Sequence, residues 1–323
     1  MVTITDLGAW HRDVLASALS ENTRIAYEKG WNVFVDDYCA VEGIEPLAAS
    51  PDEVSRFLVQ LATQPSKLSG VVLSMGTVTL YKSAINRKYM DEGMPSPTNH
   101  PLVRGTMKGL ARIKGSASRI RQVEALREFH IEAMLGLCAD TTIGKRDAAI
   151  IAVGFAGALR RSELCNLRVD DVEFLDREEG VNDRMFLMIR QSKTDQQGRG
   201  QKIAIVDGDN IRPIQRLRAW LESAGITYGP MFQTMKRGGN LRGKPMHHSD
   251  IPRIVKHYAS LIGLDPAGIA GHSLRAGFVT SAAVHHARLD KIMAITRHRN
   301  PATVMRYIRD ADAFADHAGQ GFL

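Results

Sequence analysis

The hydrophobic pattern of this chain follows a helical period over most of its length and gives way to strand-like runs in only two places. That restricts it to a mainly α fold with a small antiparallel β-sheet. Tyr27, Trp31, Phe34 and Tyr38 are spaced to put four rings on one helical face. Asn22 or Ser20 can cap the start of that helix, and Gly43 can end it. Ser50-Pro51-Asp52-Glu53 announces a second helix, with an N-cap serine, a proline at the first helical position and a glutamate three residues after the cap. Its buried stripe is Val54, Phe57, Leu58 and Leu61. A third helix carries Val78, Tyr81 and Ile85 and stops at Gly93, Pro95 and Pro97. A fourth runs near 102–113 with Val103, Met107 and Leu110 inward. Further helices are predicted over 128–139 and 145–156, with a short one beginning just after Arg160. The strand-like runs are Met185–Ile189 and Gln201–Val206, joined by the polar loop 190–200, which predicts a hairpin with a long tip. After residue 210 the chain reads as helical, apart from a loop near 236–245. No internal repeat or low-complexity segment is present.

The 323 residues are enough for two domains, each with its own core. Lys114-Gly-Ser-Ala-Ser-Arg119 has the small, polar, positive composition of a linker. The boundaries read as a helical domain over 1–113, a basic linker over 114–123 and a second domain over 124–323. Between residues 82 and 127, ten basic residues face three acidic ones, a local excess equal to the +7 of the whole chain. Lys82, Arg87, Lys88, Arg104, Lys108, Arg112, Lys114 and Arg119 are the candidates for a phosphate-contacting surface. The sequence pI of about 9.4 fits a polyanionic partner. No apolar run approaches the ~20 residues of a membrane helix. The N-terminus shows no basic region followed by an apolar one, so no secretory signal is expected. Cys39, Cys138 and Cys165 lie far apart without a CxxC pair, which fits a reducing compartment and argues against a structural zinc.

Four polar clusters follow the linker: Gly157-Ala-Leu-Arg160-Arg-Ser-Glu163, Gln191-Ser-Lys193-Thr, Gly271-His272-Ser-Leu-Arg275, and His298-Arg-Asn-Pro with Tyr307 nine residues after the histidine. Singly, each has an ordinary explanation: a surface ion pair, a solvated lysine, a core tyrosine. Their order is more specific. Arg-x-x-Glu, a hairpin Lys, His-x-x-Arg, a His or Trp, then Tyr resembles the tyrosine recombinase (phage integrase) family over nearly the whole chain. Asn22-Thr-Arg-Ile-Ala-Tyr27 and His100-Pro-Leu-Val-Arg104-Gly-x-x-Lys108-Gly-Leu resemble that family's helical core-binding domain, and Cre-like recombinases are the nearest subgroup. Ala276 stands where many members have a second histidine after the His-x-x-Arg arginine.

The resemblance implies an N-terminal helical core-binding domain (a SAM-like bundle) and a C-terminal DNA breaking-rejoining domain. It implies that Arg160 and Arg275 contact the scissile phosphate, a task that suits the fork of a guanidinium. His298 would add a third donor, and Tyr307 would be the nucleophile. A phenol titrates near 10, so attack needs a base or a cationic field, and the family pattern gives proton acceptance to His272. It gives protonation of the leaving 5′-oxygen to Lys193. Glu163 would be a positioning residue, with Arg161 and Arg297 as lesser candidates for DNA contact. Attack would leave a 3′-phosphotyrosyl bond that stores the phosphodiester energy, so no cofactor and no metal are expected. The implied partners are double-stranded DNA with inverted-repeat half-sites, a homotetramer built by exchange of the tail 308–323, and accessory DNA-binding proteins as optional ones. The setting would be the bacterial cytoplasm, with no membrane partner. Two alternatives remain: a topoisomerase-like or hairpin-forming enzyme using the same tyrosine, and a DNA-binding protein that only occupies its site.

Overall fold

The computed structural model describes residues 19–67, 69–117, 124–176, 182–190, 200–235 and 240–311, without the side chains of 116–117 and 309–311. The chain divides into two compact units, Met1–Ile120 and Arg121–Leu323.

Among the described residues, the first unit is built on four main helices. Helix α1 (Glu21–Phe34) is capped by Ser20, whose hydroxyl accepts from the Thr23 N–H. It continues through a π-helical stretch, Val35–Cys39, and ends where Gly43 turns left-handed at φ +68°. The wide π turn sends the adjacent Tyr38 and Cys39 both inward. Tyr27, at the other end of the expected aromatic stripe, is only half-buried. Helix α2 (Pro51–Thr63) starts with the expected reciprocal cap: the Glu53 carboxylate accepts from the Ser50 N–H at 2.7 Å, and the Ser50 hydroxyl accepts from the Glu53 N–H. Helices α3 (Met75–Asp91) and α4 (Pro101–Ala117) complete the bundle. Phe34, Tyr38 and Phe57 pack ring against ring at its centre, with centroids 5.0–6.1 Å apart. A Cβ at Gly30 would come within 2.9 Å of the Tyr81 ring, so only glycine lets α1 and α3 approach this closely. The fourth helix runs past the expected boundary at 113: residues 114–117 are helical, and the Lys114 ammonium donates to the Leu73 carbonyl. The rest of the proposed linker, 118–123, lies outside the described residues.

The second unit is built around α6 (Thr142–Ala156), whose residues from Asp147 to Phe155 are all buried. Around it lie α5 (Glu128–Gly136), α7 (Arg161–Asn166), α8 (Pro213–Ala224), α9 (Asp250–Leu261) and α10 (Ser273–Val284). Helix α5 stops at Gly136, three residues before the expected end. Helix α6 starts three residues early because the Thr141 hydroxyl caps the Gly144 N–H. Strands β1 (Val172–Phe174), β2 (Arg184–Ile189) and β3 (Gln201–Val206) form an antiparallel sheet in that order. The predicted hairpin is β2–β3, with Leu187 opposite Ile203 and Met185 opposite Ile205, all four buried. β1 adds a third strand that the sequence did not announce.

The segment expected as a loop near 236–245 differs. β5 (Leu241–Pro245) pairs antiparallel with β4 (Gln233–Met235), and residues 236–239 lie outside the described residues. Leu-Arg-Gly-Lys-Pro has no alternating apolar residues to reveal a strand. Neighbouring tertiary bonds fix the segment instead: the Met246 N–H donates to the Phe232 carbonyl, and the Trp220 indole to the Met231 carbonyl. Helices α11 (Leu289–Thr296) and α12 (Pro301–Ala311) rest on α10 through a small core of Val279, Ile292 and Val304, apart from the main one. Among the described residues no helix is long and apolar enough to cross a membrane.

Candidate active site

The site begins where α6 ends. Ala158 reverses the chain with φ +44°, a left-handed conformation that non-glycine residues enter at a cost. Its carbonyl is held by two guanidinium groups: Arg275 Nη1 donates to it at 2.8 Å and Arg297 Nη2 at 3.3 Å. Two residues later Arg160 caps α7, and Glu163 reaches back one turn. The Glu163 carboxylate accepts from the Arg160 N–H at 2.8 Å and from Arg160 Nη1 at 2.6 Å. Its Oε2 also accepts from Arg297 Nη2 at 2.7 Å. Burial alone would raise this carboxyl, but Arg297, with Arg160 after it, holds it below the ordinary range. One carboxylate thus pins two arginines. The Arg297 side chain is 1% exposed and that of Arg160 is 13% exposed, so Arg160 retains access to a ligand.

Arg275 sits in the first turn of α10 and is buried. Here α10 crosses the strand of chain entering α5: a Cβ at Gly277 would overlap the Leu126 carbonyl at 1.8 Å, so glycine alone permits the crossing. Burial first, then the charges of Arg160 and Arg297, push the Arg275 guanidinium down to about 9. Its Nη2 is buried without a hydrogen-bond partner among the described residues. Three guanidinium groups against one carboxylate leave a surplus of positive charge suited to an oxyanion.

The remaining residues come from α11 and α12. Thr296 donates its hydroxyl to the Ile292 carbonyl at 2.7 Å and lies 2.9 Å from His298 Nδ1. With its one proton committed, Thr296 accepts from Nδ1–H, which leaves Nε2 as the working nitrogen of His298. Burial and the charges of Arg275, Arg160, Arg297 and His272 push this imidazole down to about 4, so it is neutral near pH 7. Tyr307 is half-buried on α12, packs on the small Val279 cluster and lies within electrostatic reach of Arg275. His272 is exposed at the start of α10, close enough for its charge to be among those that lower His298.

Six of the expected residues therefore converge: Arg160, Glu163, His272, Arg275, His298 and Tyr307. Lys193 lies outside the described residues, as do Arg119 and the tail 312–323. Arg297, considered for DNA contact, is instead buried and bonded to protein acceptors. Arg161 is exposed. In the first unit, Arg87 pairs with Asp91 at 2.8 Å and Lys88 with Glu92 at 2.6 Å along α3. Lys82 is half-buried. Arg104, Lys108 and Arg112 recur every fourth residue on an exposed face of α4, outside the ion pairs of the described residues. The connecting role of Arg297 and Thr296 has one visible sign in the sequence, a cation beside His298. Among the described residues, no group of three His, Cys, Asp or Glu side chains is placed to hold a metal ion.

The profile of the phage integrase family matches residues 124–313. A protein of Selenomonas ruminantium described as an integrase/recombinase xerD homolog is 34% identical over 94% of this chain and 86% of its own length. A lambda integrase dimer bound to a core site shares the fold at TM-score 0.58, with 16% identity over 96% of both chains. XerH recombinase bound to its difH substrate also matches at TM-score 0.58, with 15% identity over 91% of this chain and 79% of that one.

Proposed function

The chain belongs to the phage integrase family and is a tyrosine-type site-specific DNA recombinase, and we propose that Tyr307 cuts one strand of duplex DNA as a covalent 3′-phosphotyrosyl intermediate. The observation that carries this reading is the buried, unpartnered Nη2 of Arg275, a guanidinium within electrostatic reach of Arg160, His298 and Tyr307. A phosphodiester already carries one negative charge, and attack adds another. Arg160 and Arg275 offset both, and fixed donors cost no reorganisation when the charge develops. His298 Nε2, once protonated beside that anion, becomes a third donor.

Proton traffic completes the step. His272 takes the phenol proton, and Lys193 gives one to the departing 5′-oxygen. Glu163 orients Arg160. The 5′-hydroxyl of a second strand then displaces the phenolate, so phosphodiester energy is conserved without ATP or another cofactor. Strand exchange of this kind serves integration, excision or resolution of a mobile element or plasmid in the bacterial cytoplasm. The partner is double-stranded DNA with inverted-repeat half-sites, and Arg104, Lys108 and Arg112 on α4 supply sequence-independent phosphate contacts. The domain boundary lies within 114–123. Synapsis assembles a homotetramer through tail exchange, with accessory proteins where a site requires them. Removing residues 312–323 abolishes synapsis and spares half-site binding.

The test uses a suicide substrate, nicked beside the cleavage point so that the free end diffuses away. The wild type accumulates a covalent protein–DNA adduct, and Tyr307→Phe gives none while binding the same DNA. Equal adduct from both proteins would refute the assignment of the nucleophile.

A further inference from the structure

We infer that Arg297 is a positioning residue that ties the segment carrying His298 and Tyr307 to both phosphate-binding arginines; the inference rests on the function proposed above. Arg297 closes α11 with φ +58°, a turn that glycine makes without strain and arginine does not. The turn therefore does not call for this side chain. What the side chain does is visible in its bonds. The residue is only 4% exposed. Nη1 donates to the Ile295 carbonyl at 2.6 Å and to the Gly157 carbonyl at 3.2 Å. Nη2 donates to the Ala158 carbonyl at 3.3 Å and to Glu163 Oε2 at 2.7 Å.

Two of these acceptors are shared. The Ala158 carbonyl also receives Arg275, and Glu163 also receives Arg160. One guanidinium thus reaches the anchor of each phosphate-binding arginine, from a residue adjacent to His298 and ten before Tyr307. The apolar support of that segment is the small Val279, Ile292 and Val304 cluster, apart from the main core. The polar tie through Arg297 connects it to the turn at 157–163, where Arg160 is fixed. Cleavage depends on the distance between phenol and phosphate, and a displacement of about 1 Å costs on the order of 10²-fold in rate. All four bonds of Nη1 and Nη2 go to protein acceptors, and the Nε–H is buried without a partner among the described residues, so Arg297 acts through Arg160, Arg275 and Tyr307 and not on the phosphate itself. A lysine cannot replace it, since one ammonium cannot reach a carboxylate and three carbonyls from a single point.

The experiment compares wild type, Arg297→Gly and Arg297→Lys in single-turnover adduct formation on the nicked substrate, beside DNA affinity and thermal melting. Arg297→Gly relieves the backbone strain. It is expected to melt cooperatively and bind DNA within about threefold of wild type, while forming adduct at least about 30-fold more slowly. Methylguanidinium chloride, filling the vacated space, should return part of that rate and leave wild type unchanged. Arg297→Lys should fall between the two and not respond to methylguanidinium. Adduct formation within about twofold of wild type in either variant would overturn the inference. So would a rate loss matched by lost DNA binding and immune to methylguanidinium, because that marks a purely structural residue. If the wild type itself forms no adduct, it is the function proposed above that fails.

Discussion

At the scale of the residue, Glu163 governs the site. Its two oxygens hold Arg160 and Arg297, and with the carboxylate gone two guanidinium groups are left facing each other under burial. Breaking such a pair by removing one partner costs about 3–5 kcal/mol. Glu163→Ala should therefore lower the unfolding free energy of the second unit, read from urea denaturation, by that amount, and Glu163→Gln, which keeps an acceptor, by less. His298 makes stability depend on pH. Its folded-state value near 4 lies below the unfolded value near 6.5, so the unfolded chain binds more protons between those limits. Stability should be fully present above about pH 6.5 and decline as pH falls toward 4, by on the order of 1–2 kcal/mol for a partly exposed ring. In His298→Asn that part of the decline should vanish from denaturation curves taken across the range. Arg160, Glu163, Arg275, His298 and Tyr307 were legible because their order along the chain is specific. Arg297 was not, because three of its four acceptors, at Gly157, Ala158 and Glu163, lie more than a hundred residues away, and no local spacing encodes them.

At the scale of the element, α12 is the part most easily loosened. It is held by Val304 against Val279 and Ile292, a core far smaller than the one around α6. Val304→Ala removes two buried methyl groups, about 1–2 kcal/mol of local stability. Amide exchange in α12 should accelerate while exchange in α6 and the main melting transition stay within error; equal acceleration in both would show that the two cores unfold together. The helices with strong caps were plain in the sequence. Ser50 and Glu53 bind each other as their spacing requires, and β2 and β3 pair where apolar alternation placed them. The β4–β5 pair was hidden because Leu241–Pro245 carries charges and a glycine where strands usually carry branched apolar residues. The last turn of α4 was hidden as well: its composition suits a linker, and what orders it is the bond from Lys114 to the Leu73 carbonyl, forty-one residues back.

At the scale of the whole molecule, charge sets the terms of binding. The excess of +7 sits largely in one stretch of sequence, where Arg87 and Lys88 are paired with Asp91 and Glu92 within α3, so the surplus rests on the other basic residues. Arg104, Lys108 and Arg112 are outside such pairs. The logarithm of DNA affinity should fall steeply with the logarithm of salt concentration, and the slope should shrink by about 0.9 for each of the three changed to alanine, whatever the DNA sequence. The claim on which the rest depends is more local: a phenol oxygen in a pocket of arginines becomes bonded to a DNA strand. Its most direct test is mass spectrometry of the proteolysed adduct formed on a nicked site. The account predicts a peptide in which Tyr307 carries the 3′-phosphate of the cleaved strand, with a free 5′-hydroxyl on the released piece. An adduct on any other residue, or a 5′-phosphate linkage, would contradict it.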